Sequence, residues 1–282
     1  MRPLNELSLG WRTDLIFPRF DAEVIERGDH VLVRTPHNPT FWWGNFLLFD
    51  HAPVEGDAMH WLAQFEAEIA SVQPESRHVA FGIDAIEPFE MPADLLRAGF
   101  TREADTVLTL RRAQLRSAPT LPPGMRIEPL DLAAHANAAV ELQVLSDEGD
   151  HEPVAEYRVF RARQMQRYAA MQRAGLGHWF GVHAATDAGE QLVADCGLFR
   201  DGVGAGALGR FQHVETHPQW RRRGLCRALI HAVCRHGFDA MGVDALVIVA
   251  DPDDVAIGLY ESVGFERGVS TWHVQRRPDV AP

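Results

Sequence analysis

The chain has 282 residues, of which 46% are apolar and 23% charged, and its 27 Lys and Arg against 39 Asp and Glu give a formal charge of -12. That composition belongs to a folded protein of one large domain or two ordinary ones, and the acidic balance argues against a surface devoted to nucleic acid, where binding follows neutralisation of phosphates. No run of 18 apolar residues predicts a membrane span, no leader pattern is evident, and Cys196, Cys226 and Cys234 form too sparse and odd a set for a disulfide framework, which fits a reducing cytoplasm.

In the first half, "HVLVRT" (30–35) and "FWWGNFLLF" (41–49) read as strands, "DAMHWLAQFEAEIASV" (57–72) as an amphipathic helix, and "HVAFGID" (78–84) as a further strand. A short helix ending in Gly99-Phe100 and an extended stretch follow. The segment 117–124, "SAPTLPPG", is the natural linker, because Pro-Pro-Gly continues neither a helix nor a central strand. Two domains are therefore expected, at 1–116 and 125–282.

The second half predicts a strand at 125–130, helices at 132–146 and 156–174, and strands at 178–185, 192–199 and 208–216 joined by Gly-bearing turns. A helix over 223–238, a strand at 245–250, a helix over 252–263 and a last strand around 269–276 complete it. The class is mixed α/β with a partly antiparallel sheet. "LLRAGFTREADTVLTLRR" (95–112) aligns without gaps on "YESVGFERGVSTWHVQRR" (260–277), matching Gly99-Phe100 to Gly264-Phe265, so the halves read as a duplication. Leu95 stands where the second copy has Tyr260.

The chemistry concentrates at "WRRRGLCRAL" (220–229), between the strand 208–216 and a helix whose Leu225, Ala228, Leu229, Ala232 and Val233 recur at three- and four-residue steps. A helix start exposes unpaired amides and the positive end of the macrodipole, Gly224 lets a backbone approach an anion, and the arginines add charge. His213 and His217 are four apart, but they flank an extended segment and a proline, so no metal site is expected.

"RRRGLC" (221–226) resembles the Q/R-x-x-G-x-G/A loop of the GNAT superfamily of N-acyltransferases, with Arg221 in the Q/R place, Gly224 in the first glycine place, and Cys226 where Gly or Ala is usual. "VETHP" (214–218) precedes it, and "DDVAIGLYESVGF" (253–265) is similar to the family's N-x-x-A-x-x-L-Y-x-x-x-G-F element, with Asp253 in the Asn place. The resemblance spans about 125–276. It implies two tandem GNAT-like domains, the first degenerate, and one site for acetyl-CoA in the second. Val214 and Thr216 would bind the pantetheine arm through their main chain. The backbone of Arg222, Arg223, Gly224, Leu225, Cys226 and Arg227 would hold the pyrophosphate, and Tyr260 would protonate the leaving thiolate.

Alternation on strand 210–216 puts Arg210, Gln212 and Val214 on one face and Phe211, His213 and Glu215 on the other. The resemblance points the first face at the acceptor, with Gln212 positioning it. A bulge would bring His213 or Glu215 into play, and an outer-face position is the alternative for both. The candidate catalytic residues are thus Tyr260, Gln212 and Glu215. "SDEGDHEP" (146–153) is either an acidic wall for a cationic amine or a solvated capping loop. A covalent route through Cys226, whose helix-start setting would lower a thiol pKa, is discounted because the residue would sit under the pyrophosphate.

The expected activity is acetyl transfer from acetyl-CoA to an amine, on a small molecule or a protein, by a cytoplasmic monomer or homodimer without metal, membrane or nucleic-acid partner. The alternatives are a non-catalytic acyl-CoA sensor and nucleic-acid binding through Arg221–Arg223.

Overall fold

The computed structural model describes residues 1–147, 154–187 and 189–278. The first half runs α1 (Leu9–Asp14), α2 (Pro18–Asp21), β1 (Glu23–Glu26), β2 (Val31–Arg34), β3 (Phe46–Phe49), α3 (Asp57–Phe65), β4 (Val79–Ile83), α4 (Ala93–Arg97) and β5 (Thr101–Arg111). The second runs β6 (Met125–Leu130), α5 (Leu132–Ser146), α6 (Val154–Arg173), β7 (Gly177–Thr186), β8 (Gly189–Asp201), β9 (Leu208–Thr216), α7 (Leu225–Asp239), β10 (Ala245–Ala250), α8 (Ala256–Val263) and β11 (Glu266–Arg276). The class is mixed α/β.

By contacts the chain divides into two units, residues 1–107 with the C-terminal residues from 269, and residues 108–268. The segment 117–124 lies inside the second unit. The last strand belongs with the first, because β11 pairs antiparallel with β4, Trp272 opposite Ile83 and Arg276 opposite Val79. The first unit's order is β1-β2-β3-β4-β11-β5, with β3 and β4 parallel.

Both faces of that sheet are buried. On one, Phe49 stacks on Trp61 of α3 with ring centroids 3.8 Å apart, beside Phe65 and Phe81. On the other, Trp11 of α1 packs with Leu7, Leu15 and Phe46 and donates its indole N–H to the Ile83 carbonyl at 3.1 Å. Gly82 is required there, since a Cβ would lie 2.6 Å from the Trp11 ring.

The stretch 41–49 is a strand only from Phe46 to Phe49, and Trp42–Gly44 form a 3-10 turn. The cause is Asn45, whose side chain accepts from the Thr35 amide at 2.8 Å and donates to the Asn38 and Phe41 carbonyls at 3.0 and 2.7 Å, closing the loop that alternation would have extended. The helix expected over 57–72 is α-helical to Phe65 and continues as a π-helical turn over Glu66–Ala70.

In the second unit, β6, β7, β8 and β9 form an antiparallel meander and β10 joins β9 in parallel. On one face α7 buries Leu225, Leu229 and Val233 against Phe211, Leu246, Tyr260 and Phe265. Each such Leu or Val contributes about 1.5–3 kcal/mol relative to exposure. On the other face α6 buries Met165, Tyr168 and Met171, with Tyr168 stacked 5.3 Å from Trp179.

The duplicated segments make the same turn. Phe265 N–H donates to the Tyr260 carbonyl at 3.2 Å, and Phe100 N–H to the Leu95 carbonyl at 3.1 Å. Gly264, at φ 121°, is required, because a Cβ there would stand 2.2 Å from the Gln114 carbonyl oxygen.

Candidate active site

The site begins where β9 leaves β10. Their parallel ladder covers only 208–210 and 245–247, whereas β9 stays paired with β8 as far as Thr216 opposite Ala194. The β10-facing edge of β9 beyond Arg210, which includes Val214 and Thr216, has no strand partner among the described residues.

Alternation along β9 fails at His213. This residue takes a φ of 44°, and the register against β8 shifts between Asp195, opposite Glu215, and Gly197, opposite Gln212. An extra residue in one strand turns side chains out of period, so Gln212 and His213 both reach α6. Tyr168 donates its hydroxyl to Gln212 Oε1 at 3.2 Å and lies 3.4 Å from His213 Nε2. Arg161 Nη1 lies 2.8 and 3.0 Å from the two His213 ring nitrogens. Burial, and then the Arg161 cation, push His213 well below the usual imidazole range, so it is neutral.

Past the bulge, Glu215 is half-buried. Burial raises its carboxyl to about 7, with Arg161 and Arg221 opposing that rise and Asp147 adding to it. Across the strands lies Asp195, fully buried, whose Oδ2 accepts the Trp179 indole N–H at 3.0 Å. Burial drives Asp195 well above the carboxylate range against that hydrogen bond.

The loop after β9 turns into α7 through left-handed residues, Arg222 at φ 60° and Gly224 at φ 79°. Gly224 is the N-cap, no side chain caps α7, and nothing lies within 4 Å of a Cβ placed on it. The first amides of the helix, those of Leu225, Cys226 and Arg227, therefore face an open approach, the setting in which a helix N-terminus holds phosphate. The neighbouring arginines brace the loop. Arg221 donates to the Thr216 carbonyl at 3.2 Å and the Ser146 carbonyl at 3.1 Å, and Arg223 donates to the Gln219 carbonyl at 3.2 Å with its guanidinium over Trp220.

Tyr260, on α8, is 5% exposed. Its hydroxyl makes no hydrogen bond among the described residues, yet is not sealed from solvent. Burial, joined by Cys226 and Asp254, holds the phenol well above its ordinary value, so it keeps its proton. Cys226 departs from the helix-start expectation, since burial raises its thiol to about 12 while the Thr216 hydroxyl works the other way. The structure thus gives no activated thiolate there. Asp253 is exposed and its amide donates to Asp251 Oδ1 at 2.8 Å. Asp254 caps α8 by accepting from the Ala256 amide at 2.8 Å, which starts the helix four residues later than expected.

The residues that sequence reasoning missed are Arg161, Tyr168, Asp195 and Asp254. Arg161 and Tyr168 belong to a helical series with Tyr157 and Gln164 at three- and four-residue steps, a signal that an apolar-periodicity pattern does not carry because arginine and glutamine are polar. Residues 148–153 of the acidic stretch lie outside the described residues. Among the described residues no cluster of three or more His, Cys, Asp or Glu could hold a metal ion, and no helix is long and apolar enough to cross a membrane.

In the first unit, α3 starts after Gly56 at φ 107°. There Asp94 Oδ2 accepts from the Gly56 and Ala58 amides at 2.9 and 3.2 Å, and Leu95 is fully buried in the place that corresponds to Tyr260.

The sequence model of the acetyltransferase (GNAT) family matches residues 142–265. No curated protein matches the sequence. Among solved structures, a functionally unknown conserved protein from Staphylococcus epidermidis superposes with a TM-score of 0.67 at 13% identity, over 92% of this chain and 95% of that one. A GCN5-related N-acetyltransferase from Kribbella flavida gives 0.60 at 14%, over 93% and 92%. A tandem GNAT protein from the clavulanic acid biosynthesis pathway gives 0.59 at 14%, over 96% and 89%. At such identities the likeness concerns the fold, which is that of two tandem GNAT-like domains.

Proposed function

Starting from a chain that carries a GNAT acetyltransferase domain at residues 142–265, we propose that it transfers an acetyl group from acetyl-CoA to a primary amine by direct attack, Glu215 serving as base and Tyr260 as acid. The observation that carries this reading is an uncapped α7 start that follows the half-buried Glu215 of β9, together with a buried Tyr260 whose hydroxyl has no hydrogen-bond partner among the described residues.

The residues present fit the co-substrate. The amides of Leu225, Cys226 and Arg227, with the loop from Arg222, suit a pyrophosphate, and Gly224 leaves its approach open. The free edge of β9 at Val214 and Thr216 suits a pantetheine arm laid alongside as an extra strand. Asp253 lies exposed ahead of α8, and Asp254 holds the start of that helix.

An ammonium must lose a proton before it attacks. A carboxyl with an acid constant near the working pH accepts that proton with little driving-force penalty, directly or through one water. The amine nitrogen then bonds to the acetyl carbon as the carbon–sulfur bond breaks. The thiolate takes the Tyr260 proton, and the second proton shed by the nitrogen as the amide forms restores the phenol, directly or through water, so that amide and thiol leave neutral. Gln212, held by Tyr168, positions the acceptor. Arg221 and Arg223, though exposed, brace the loop through the Thr216 and Gln219 carbonyls.

The test is thiol release from acetyl-CoA against a panel of amines. Release that falls about 10²-fold in Tyr260→Phe supports the assignment. Binding of acetyl-CoA without release from any amine would support a sensor instead, and salt-sensitive nucleic-acid affinity that CoA does not displace would overturn the cradle.

A further inference from the structure

Arg161 sits at the bulge of β9, half-buried, with its guanidinium carbon 4.9 Å over the Tyr157 ring and 5.3 Å over that of Phe160. Among the described residues its hydrogen bonds are all to neutral groups. Nε donates to the Tyr157 hydroxyl at 2.7 Å, and Nη1 to Gln164 Oε1 at 3.1 Å and to the neutral His213 ring. Nη2 has no partner, and no carboxylate forms an ion pair with this cation, among the described residues. Among the described residues this part-buried cation has no counter-ion at ion-pair distance, and a desolvated charge is costly unless paired.

A second donor in the same cluster is also unfilled. The Tyr168 hydroxyl occupies Gln212 Oε1 and so turns the amide NH2 away, and that NH2 has no acceptor among the described residues. Both open donors flank His213, two residues from Glu215, whose carboxyl feels the Arg161 charge without bonding to it.

We infer that the acceptor is an amine bearing its own carboxylate, an amino acid or a close relative, with the carboxylate on Arg161 Nη2 and Gln212 Nε2 and the amine towards Glu215. This rests on the proposed acetyl transfer, with the α6 side of the β9 bulge read as the acceptor side. A carboxylate can accept from a guanidinium and an amide together, and a charge-assisted pair of this kind discriminates strongly against a neutral analogue. The carboxylate supplies the missing counter-ion. It also places the nitrogen one carbon away, within reach of a base on the neighbouring strand position.

The experiment compares amino acids with their own carboxamides, both as acceptors in CoA release and as ligands titrated calorimetrically into the CoA-saturated protein, for wild type and Arg161→Gln. At least one amino acid is expected to exceed its amide by about tenfold or more in kcat/KM or affinity, with the ratio falling to about one in the variant. A ratio of one or below for every wild-type pair, or a ratio that Arg161→Gln does not change, overturns the inference. Release from amides and acids alike would do so while leaving acetyl transfer intact. Carboxylate-selective binding without release would keep the carboxylate site and overturn acetyl transfer. Neither binding nor release of any acceptor overturns both.

Discussion

Asp94 Oδ2 accepts from the Gly56 amide at 2.9 Å, so the helix start in the first unit is occupied by the protein's own carboxylate. The corresponding start of α7, after Gly224, has no side-chain cap. Both use a left-handed glycine before the helix, and an anion is favoured at each. One unit satisfies the requirement internally and the other leaves it to a ligand, which is why the account places a single co-substrate site in the chain.

Titration with acetyl-CoA should therefore give one site per chain. Gly224→Val should weaken binding about tenfold or more while the fold survives, because a β-branched residue is strained at φ 79° and its side chain stands where the anion approaches. Two sites in wild type, or unchanged affinity in the variant, would count against the cradle.

Asp94→Ala should lower the melting temperature by a few degrees at neutral pH, as loss of an N-terminal capping carboxylate does. Slight burial pulls the Asp94 carboxyl up, but the bonds from the Gly56, Ala58 and Leu95 amides outweigh it and hold the group below its usual range. A carboxyl lowered in the folded state stabilises above the unfolded value and loses that contribution as pH falls through the folded one. The gap between wild type and variant should thus close in acid, which melting curves across pH would show.

Tyr260→Phe should lower kcat for CoA release about 10²-fold and leave the melting temperature within about 2 °C of wild type. The hydroxyl has no partner to lose among the described residues, so removing it strands no buried group there. A large loss of stability with unchanged turnover would mark it instead as a core tyrosine.

Glu215→Gln should stabilise the protein above pH 7. With its carboxyl raised to about 7 in the folded state, Glu215 binds its proton more tightly folded than unfolded, so its contribution is full at low pH and is lost as pH rises through that value. Melting temperatures should diverge in favour of the variant as pH rises from about 5 to 7 and run parallel above about 8, and curves parallel across the lower window would contradict the raised acid constant.

Much of this was legible in the residues. The spacing of Leu225, Leu229 and Val233 predicted α7 and its buried face, and the match of 95–112 to 260–277 predicted a turn that recurs bond for bond at Phe100 and Phe265. The failures have local causes. Strict alternation put Gln212 and His213 on opposite faces, but a single left-handed residue at His213 cancels the parity, and nothing in "FQHVE" announces it. Arg161 was hidden because helical periodicity sorts residues by polarity, and a half-buried arginine held over aromatic rings looks in sequence like a solvated one. The thiol of Cys226 was read from its helix start alone, whereas burial, invisible in the sequence, dominates it. α1 is six residues long and depends on Trp11 finding the notch at Gly82, a tertiary fit that no local pattern carries.

The central claim, that Glu215 is the base of an acetyl transfer, is tested most directly by the pH dependence of kcat/KM for CoA release in wild type and Glu215→Gln. The account predicts a rate in wild type that rises with pH to a plateau with a midpoint near 7, and in the variant a rate about 10²-fold lower with that limb absent. The same limb persisting in Glu215→Gln at comparable rate would contradict it.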